Sequence, residues 1–112
     1  MADVLGAFEQ AVLLAVLRLD DEAYGRAILK QVQARLQRDV AAGAVHATLE
    51  RLVRKHLLSS RLGSGTPIRA GRARRYYRVL PAGIRALNDA REAVNGIWHG
   101  LTWPLVKAKG NV

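Results

Sequence analysis

The sequence predicts a mainly α-helical chain with one small β-hairpin, and three observations carry that expectation. Apolar residues recur at spacings of three and four along most of its 112 residues. Two short β-prone runs stand in the second half, separated by a segment rich in turn formers and arginine. The length suffices for one ordinary compact domain and not for two.

Leu5, Phe8, Val12, Val16 and Leu19 make one face of a first helix. The run Asp20-Asp21-Glu22 breaks that pattern and is expected to cap the next helix start with carboxylates. Tyr24, Ile28, Val32 and Leu36 form an unbroken i, i+4 stripe for a second helix, whose other faces carry Arg26, Lys30, Gln33 and Arg35. A short break is expected at residues 39–43. A third helix follows, with Val45, Leu49 and Leu52 as its buried stripe. Its opposite face carries His46, Ala47, Glu50, Arg51 and Arg54. Small side chains near its start and basic ones further on suit insertion into a groove.

Residues 57–62 and 74–79 read as short strands, and residues 63–73 between them combine Gly, Ser, Pro and Arg. A long basic hairpin after a third helix is the wing of a winged helix-turn-helix. Alternation puts Arg74, Tyr76 and Arg78 on one face of the second strand and Arg75, Tyr77 and Val79 on the other. One face must cover the core, so Tyr76 and Tyr77 cannot be equivalent. Pro81 suits the first position of a final helix, where its missing N–H costs nothing. Ile84, Leu87, Val94, Trp98, Leu101 and Leu105 continue a three-four alternation, with Arg91 in one polar slot. Such a stripe packs either on the chain's own core or on a partner. Gly96, Gly100 and Pro104 limit the helix. The expected organisation is a winged helix-turn-helix unit over residues 1–80, a dimerisation helix over 81–106 and a disordered tail over 107–112.

The formal net charge is +9. Between residues 51 and 78 the charged residues are Arg51, Arg54, Lys55, Arg61, Arg69, Arg72, Arg74, Arg75 and Arg78, with no acid among them. The other basic residues balance all nine acidic ones, so the excess sits in about a quarter of the chain. A basic patch of this density points to a polyanion.

There is no cysteine, which removes disulfides, thiolate metal sites and thiol catalysis. His46, His56 and His99 lack metal-ligand spacing, and no nucleophile motif or carboxylate pair stands out. Gly63-Ser64-Gly65 lacks the rest of a phosphate loop and reads as a turn. No enzyme activity, cofactor or metal is expected. No apolar run is long enough to span a bilayer, and Met1-Ala2-Asp3 lacks a secretory start, so a cytoplasmic location is expected.

Four segments, in order, resemble the PadR family of regulators. Residues 5–17 resemble its first helix, and Tyr24-Gly25 with Ile28 resembles its second-helix start. Residues 43–52 resemble its recognition helix, and residues 71–83 its wing and the turn into the last helix. The resemblance spans roughly residues 5–87 and implies a short form with a single C-terminal helix. It implies a homodimer on palindromic double-stranded DNA, repression as the usual outcome, and release by a ligand. One departure is His46, where the family usually carries a tyrosine expected to touch the DNA backbone; a histidine would make that contact pH-sensitive.

On this basis the DNA-facing residues are expected to be Tyr24, Ala42, Gly43, His46, Ala47, Thr48, Arg51, Arg69, Arg72, Arg74 and Arg75. For Arg51 and Arg54 the alternative is a solvated helix face, with Arg51 paired to a carboxylate. For Tyr24 it is a core tyrosine with a satisfied hydroxyl. Leu5, Phe8, Ile84, Leu87, Val94, Trp98 and Leu101 are the expected dimer contacts. Trp98 and Trp103 fill a dimer core, line a pocket for a planar aromatic effector, or lie partly exposed. A winged-helix module for RNA or protein contact, without an operator, is the competing function. A protein-binding version would expose an apolar patch on the third helix, and an RNA-binding one would bring surface aromatics for stacking, for which only Tyr76 and Tyr77 qualify.

Overall fold

The computed structural model describes residues 4–63 and 74–106. Among these, the chain runs α1 (Ala7–Leu19), a 3₁₀ turn (Asp20–Glu22), α2 (Gly25–Leu36), α3 (Ala42–Arg54), β1 (Leu58–Leu62), β2 (Arg75–Val79) and α4 (Pro81–Trp98). The strands pair antiparallel, with Leu58 opposite Val79 and Leu62 opposite Arg75. This is the mainly α, winged helix-turn-helix architecture that the periodicities predict.

The periodic stripes build the core. Val12, Leu13 and Val16 of α1, Ile28 and Val32 of α2, and Val45, Leu49 and Leu52 of α3 are buried together with Leu58 and Tyr77 of the hairpin. Tyr77 is therefore the core tyrosine of the pair, and Val79 packs beside it. The segment before α2 completes the small sheet. The Tyr77 N–H donates to the Ala23 carbonyl at 2.9 Å, and Tyr24 bridges to Tyr76. The start of α2 is thereby fastened to the second strand of the wing.

Three local expectations are corrected. The acidic run does not cap α2: Asp20–Glu22 winds into its own 3₁₀ turn, and Tyr24 takes the N-cap position without a side-chain bond. α3 begins earlier than the expected break allows, with Ala41 at its N-cap. Gln37 ends α2 in the left-handed conformation at φ 53°, and Gln33 Nε2 donates to the Val40 carbonyl at 3.1 Å, which closes the turn into α3. The last helix stops at Trp98, with Gly100 at φ 86°, so Leu101 and Leu105 lie beyond it rather than on its stripe. Gly96 and Gly100 make that early stop inexpensive.

α4 docks through a close backbone approach. The Leu80 N–H donates to the Leu57 carbonyl at 2.9 Å, one turn before Gly83. A Cβ on Gly83 would collide with that carbonyl oxygen and come within 2.7 Å of Val79 Cγ1. Ala90 seals the same helix against the core. Beyond it the apolar residues turn outward: Val94 is exposed, and Ile97 is 77% exposed. Leu14 and Leu17 of α1 are also partly open. No described helix is long and apolar enough to cross a membrane.

Candidate nucleic-acid interface

Three elements meet on one concave face: the start of α2, the outer side of α3 and the base of the wing. They enclose an open groove of about 840 Å³. Its floor includes Leu29, Val45, Leu49 and Tyr77, and its walls carry Arg26, Lys30, His46, Arg74 and Arg75. Tyr24, Gly25, Gln33 and Ala42 complete the lining.

The helix-turn-helix places α3 so that Ala42, Gly43, Ala44, His46, Ala47 and Glu50 are exposed. No described side chain caps its N-terminus, which leaves the Ala42 and Gly43 amides without a side-chain partner. Small side chains here permit close approach of a bulky surface, and a helix N-terminus favours an anion. His46 Nε2 lies 3.6 Å from Glu50 Oε2 one turn along.

The wing base is ordered by alternating cations and rings. The Arg74 guanidinium lies 4.1 Å from the centre of the Tyr24 ring, and Arg61 lies 5.0 Å from that of Tyr76. The two rings meet edge to face at 5.8 Å. Hydrogen bonding to Tyr76 is the main influence raising the Arg74 pKa. Arg75 Nη1 donates to Ser60 Oγ at 3.1 Å across the hairpin. Burial pushes the Tyr77 phenol upward, Arg75 opposes that shift and Glu50 adds to it.

The expected site residues do not all converge. Tyr24, Ala42, His46, Arg74 and Arg75 line the groove, and Gly43 and Ala47 lie on the exposed side of α3. Thr48 is a correction: it is only 3% exposed and accepts a hydrogen bond from Arg51 Nη2 at 3.3 Å. It falls on the inner side of the helix, next to Leu49 and Val45. Arg51 makes the carboxylate pair that the sequence offers as its alternative. Its Nε lies 3.4 Å from Glu9 Oε2, and Lys55 Nζ lies 3.3 Å from the same oxygen. Arg69 and Arg72 lie outside the described residues.

The basic cluster is thus divided in space. Arg51 and Lys55, four residues apart on α3, turn toward α1, and Arg78 lies 3.7 Å from Asp21. Arg26 and Lys30 of α2 join the groove instead. In the sequence these two stand on a polar face of the second helix with no function assigned to them. Their i, i+4 spacing opposite the buried stripe was the available clue.

The expected dimer residues also separate. Leu5 is buried in the chain's own core, and its carbonyl accepts from Gln10 Nε2 at 2.9 Å, so it is removed from the expected seam. Phe8 and Leu87 pack partly against the same core. Ile84, Val94 and Leu101 are exposed. Trp98 meets Trp103 edge to face at 5.6 Å, and Trp103 remains 76% exposed.

Comparison with known proteins follows the same lines. The family model described as the transcriptional regulator PadR-like family matches residues 13–89. A PadR family transcription regulator from Clostridium difficile superposes with a TM-score of 0.64 at 22% identity, covering 82% of this chain and 91% of that one. A transcriptional regulator from Clostridium thermocellum gives 0.66 at 21%, covering 80% and 84%. BpsR of Bordetella bronchiseptica, whose DNA binding is regulated by 6-hydroxynicotinic acid, gives 0.61 at 18%, covering 92% and 73%. At these identities the likeness is one of fold. None of the curated proteins matches this chain.

Proposed function

Because the chain belongs to the PadR-like family of transcriptional regulators, a family of regulators rather than enzymes, we propose that it is a repressor. It binds a palindromic operator in double-stranded DNA as a homodimer in the cytoplasm. The observation that carries this reading is the convergence of Arg26, Lys30, Arg74 and Arg75 around the small-residue face of α3. In a helix-turn-helix the start of the third helix enters the major groove, while flanking cations neutralise phosphates. Arg74 and Arg75 hold the wing side of that contact, and Arg26 and Lys30 the α2 side.

Two copies joined through the outward apolar residues of α4, with Ile84 and Val94 at the seam, would present two α3 helices to one face of the duplex. Leu14 and Leu17 of α1 extend the same supply of exposed apolar surface. Trp98 and Trp103 offer rings against which a planar aromatic effector would stack, and that ligand would release DNA by altering the dimer. The competing protein-contact module gains no support from α3, whose outward positions carry no large apolar side chain.

The test is equilibrium binding to the DNA upstream of the protein's own gene, compared with an unrelated duplex as salt is raised. Selective binding that weakens steeply with salt is expected. Equal affinity for both duplexes would reduce the activity to polyanion binding. Absence of binding at low salt would overturn the proposal in favour of a protein-interaction module.

A further inference from the structure

Over the first nine residues of α3, the exposed positions are Ala42, Gly43, Ala44, His46, Ala47 and Glu50. Four of these have no side-chain hydrogen-bonding group. Thr48, the remaining polar residue of the stretch, is buried. Any side-chain hydrogen bond from this surface to a base edge must therefore come from His46 or Glu50. The two stand one turn apart, 3.6 Å between Nε2 and Oε2, and both are largely open to solvent.

We infer that Glu50 is a base-reading residue that selects a cytosine in each half-site, with His46 holding its carboxylate in position. The inference rests on the operator reading above. An ionised carboxylate only accepts hydrogen bonds, so its partner in the major groove must be an exocyclic amino group. Cytosine presents the N4 amino donor alone, whereas adenine sets the N7 acceptor beside its N6 donor and repels a carboxylate there. The phosphates repel Glu50 as well, so it weakens binding wherever no amino group meets it. A carboxylate on the outward side of α3, in a chain of net charge +9, works against indiscriminate binding and in favour of one base pair. His46 Nε2 stands 3.6 Å from that carboxylate, just beyond hydrogen-bond reach, and a small rotation that closes the gap would fix the Glu50 rotamer, which makes His46 a positioning residue for that contact.

The experiment is selection of tight-binding duplexes from a randomised pool by the full-length wild type, Glu50→Ala, Glu50→Gln and His46→Ala. Wild type should enrich a consensus with a C·G pair at one position of each half-site. Glu50→Ala should lose roughly ten-fold discrimination at that position alone, with the rest of the consensus retained. Its affinity for an unrelated duplex should hold or tighten. Glu50→Gln, which can donate as well as accept, should admit other bases there. His46→Ala should soften the same position less. Glu50 is exposed, and matching thermal melts of the variants establish that the fold is intact. An unchanged consensus in Glu50→Ala overturns the inference while leaving the operator reading standing. A wild type that enriches nothing overturns the operator reading and this inference with it.

Discussion

Arg51 of α3 and Glu9 of α1, forty-two residues apart, meet at 3.4 Å. The other Glu9 oxygen accepts from the Gly6 N–H at 3.3 Å, and Lys55 reaches the first at 3.3 Å. One carboxylate thus ends the N-terminus of α1 and ties α3 to it. This contact also shapes the electrostatics of the molecule, because it draws Arg51, which the sequence places on the outward face of α3, toward α1 together with Lys55.

Burial acts to raise the Glu9 carboxyl, but the Gly6 N–H, Lys55 and Arg51 together hold it below its ordinary 4.5. A carboxyl with a lowered folded value stabilises the fold fully above its unfolded value, and that stabilisation is lost as pH falls through the folded value. Glu9→Gln should therefore cost about 1 kcal/mol at neutral pH. The gap from wild type should close in thermal melts taken below pH 4.5. A gap that persists unchanged into strong acid would mean that the ion pairs contribute nothing.

Gly83 lets α4 pass directly over the Leu57 carbonyl. Gly83→Ala should cost about 1–3 kcal/mol through displaced backbone, read as a lowered Tm. Gly96 has nothing near its missing Cβ, so Gly96→Ala should stabilise α4 by about 0.5–1 kcal/mol. Equal effects of the two substitutions would contradict the docking described for α4.

The Arg74 and Arg75 side chains belong to the groove, whereas Arg51 belongs to the core-side ion pair. Arg74→Ala with Arg75→Ala should weaken binding to every duplex and lower the salt slope by about two. Arg51→Ala should chiefly lower the Tm and leave that slope nearly unchanged. Salt titrations of the two variants side by side separate these roles.

Val94 and Ile97 are exposed on the outer part of α4. Val94→Asp with Ile97→Asp should turn the proposed dimer into a monomer in sedimentation analysis, with a small effect on the monomer's own fold. A parent chain that sediments as a monomer at micromolar concentration would contradict the homodimer.

Much of the fold was legible because its core is periodic. Ile28, Val32, Val45, Leu49 and Leu52 announce their helices by spacing alone, and all are buried. Tyr76 and Tyr77 show where such reading stops. Strand alternation separates them onto two faces, but only the bridge from Ala23–Tyr24 decides which face is core. The site was legible in part for the same reason. The cationic run from residue 51 to 78 is contiguous in sequence, yet Glu9 and Asp21 reach into it from distant segments, and Arg26 and Lys30 arrive from another helix. Thr48 illustrates the limit within a single helix. Its polarity suggests an outward position, whereas its phase beside Leu49 turns it inward to bond Arg51.

The most direct test of the central claim is to map backbone amide shifts by NMR as DNA from upstream of the gene is added to the full-length protein. The largest changes are expected on residues 24–30, 42–50 and 74–76, with the outer half of α4 little affected. Changes confined to α4, or a spectrum indifferent to DNA at low salt, would contradict the assignment of the groove between α2, α3 and the wing as the DNA-binding face.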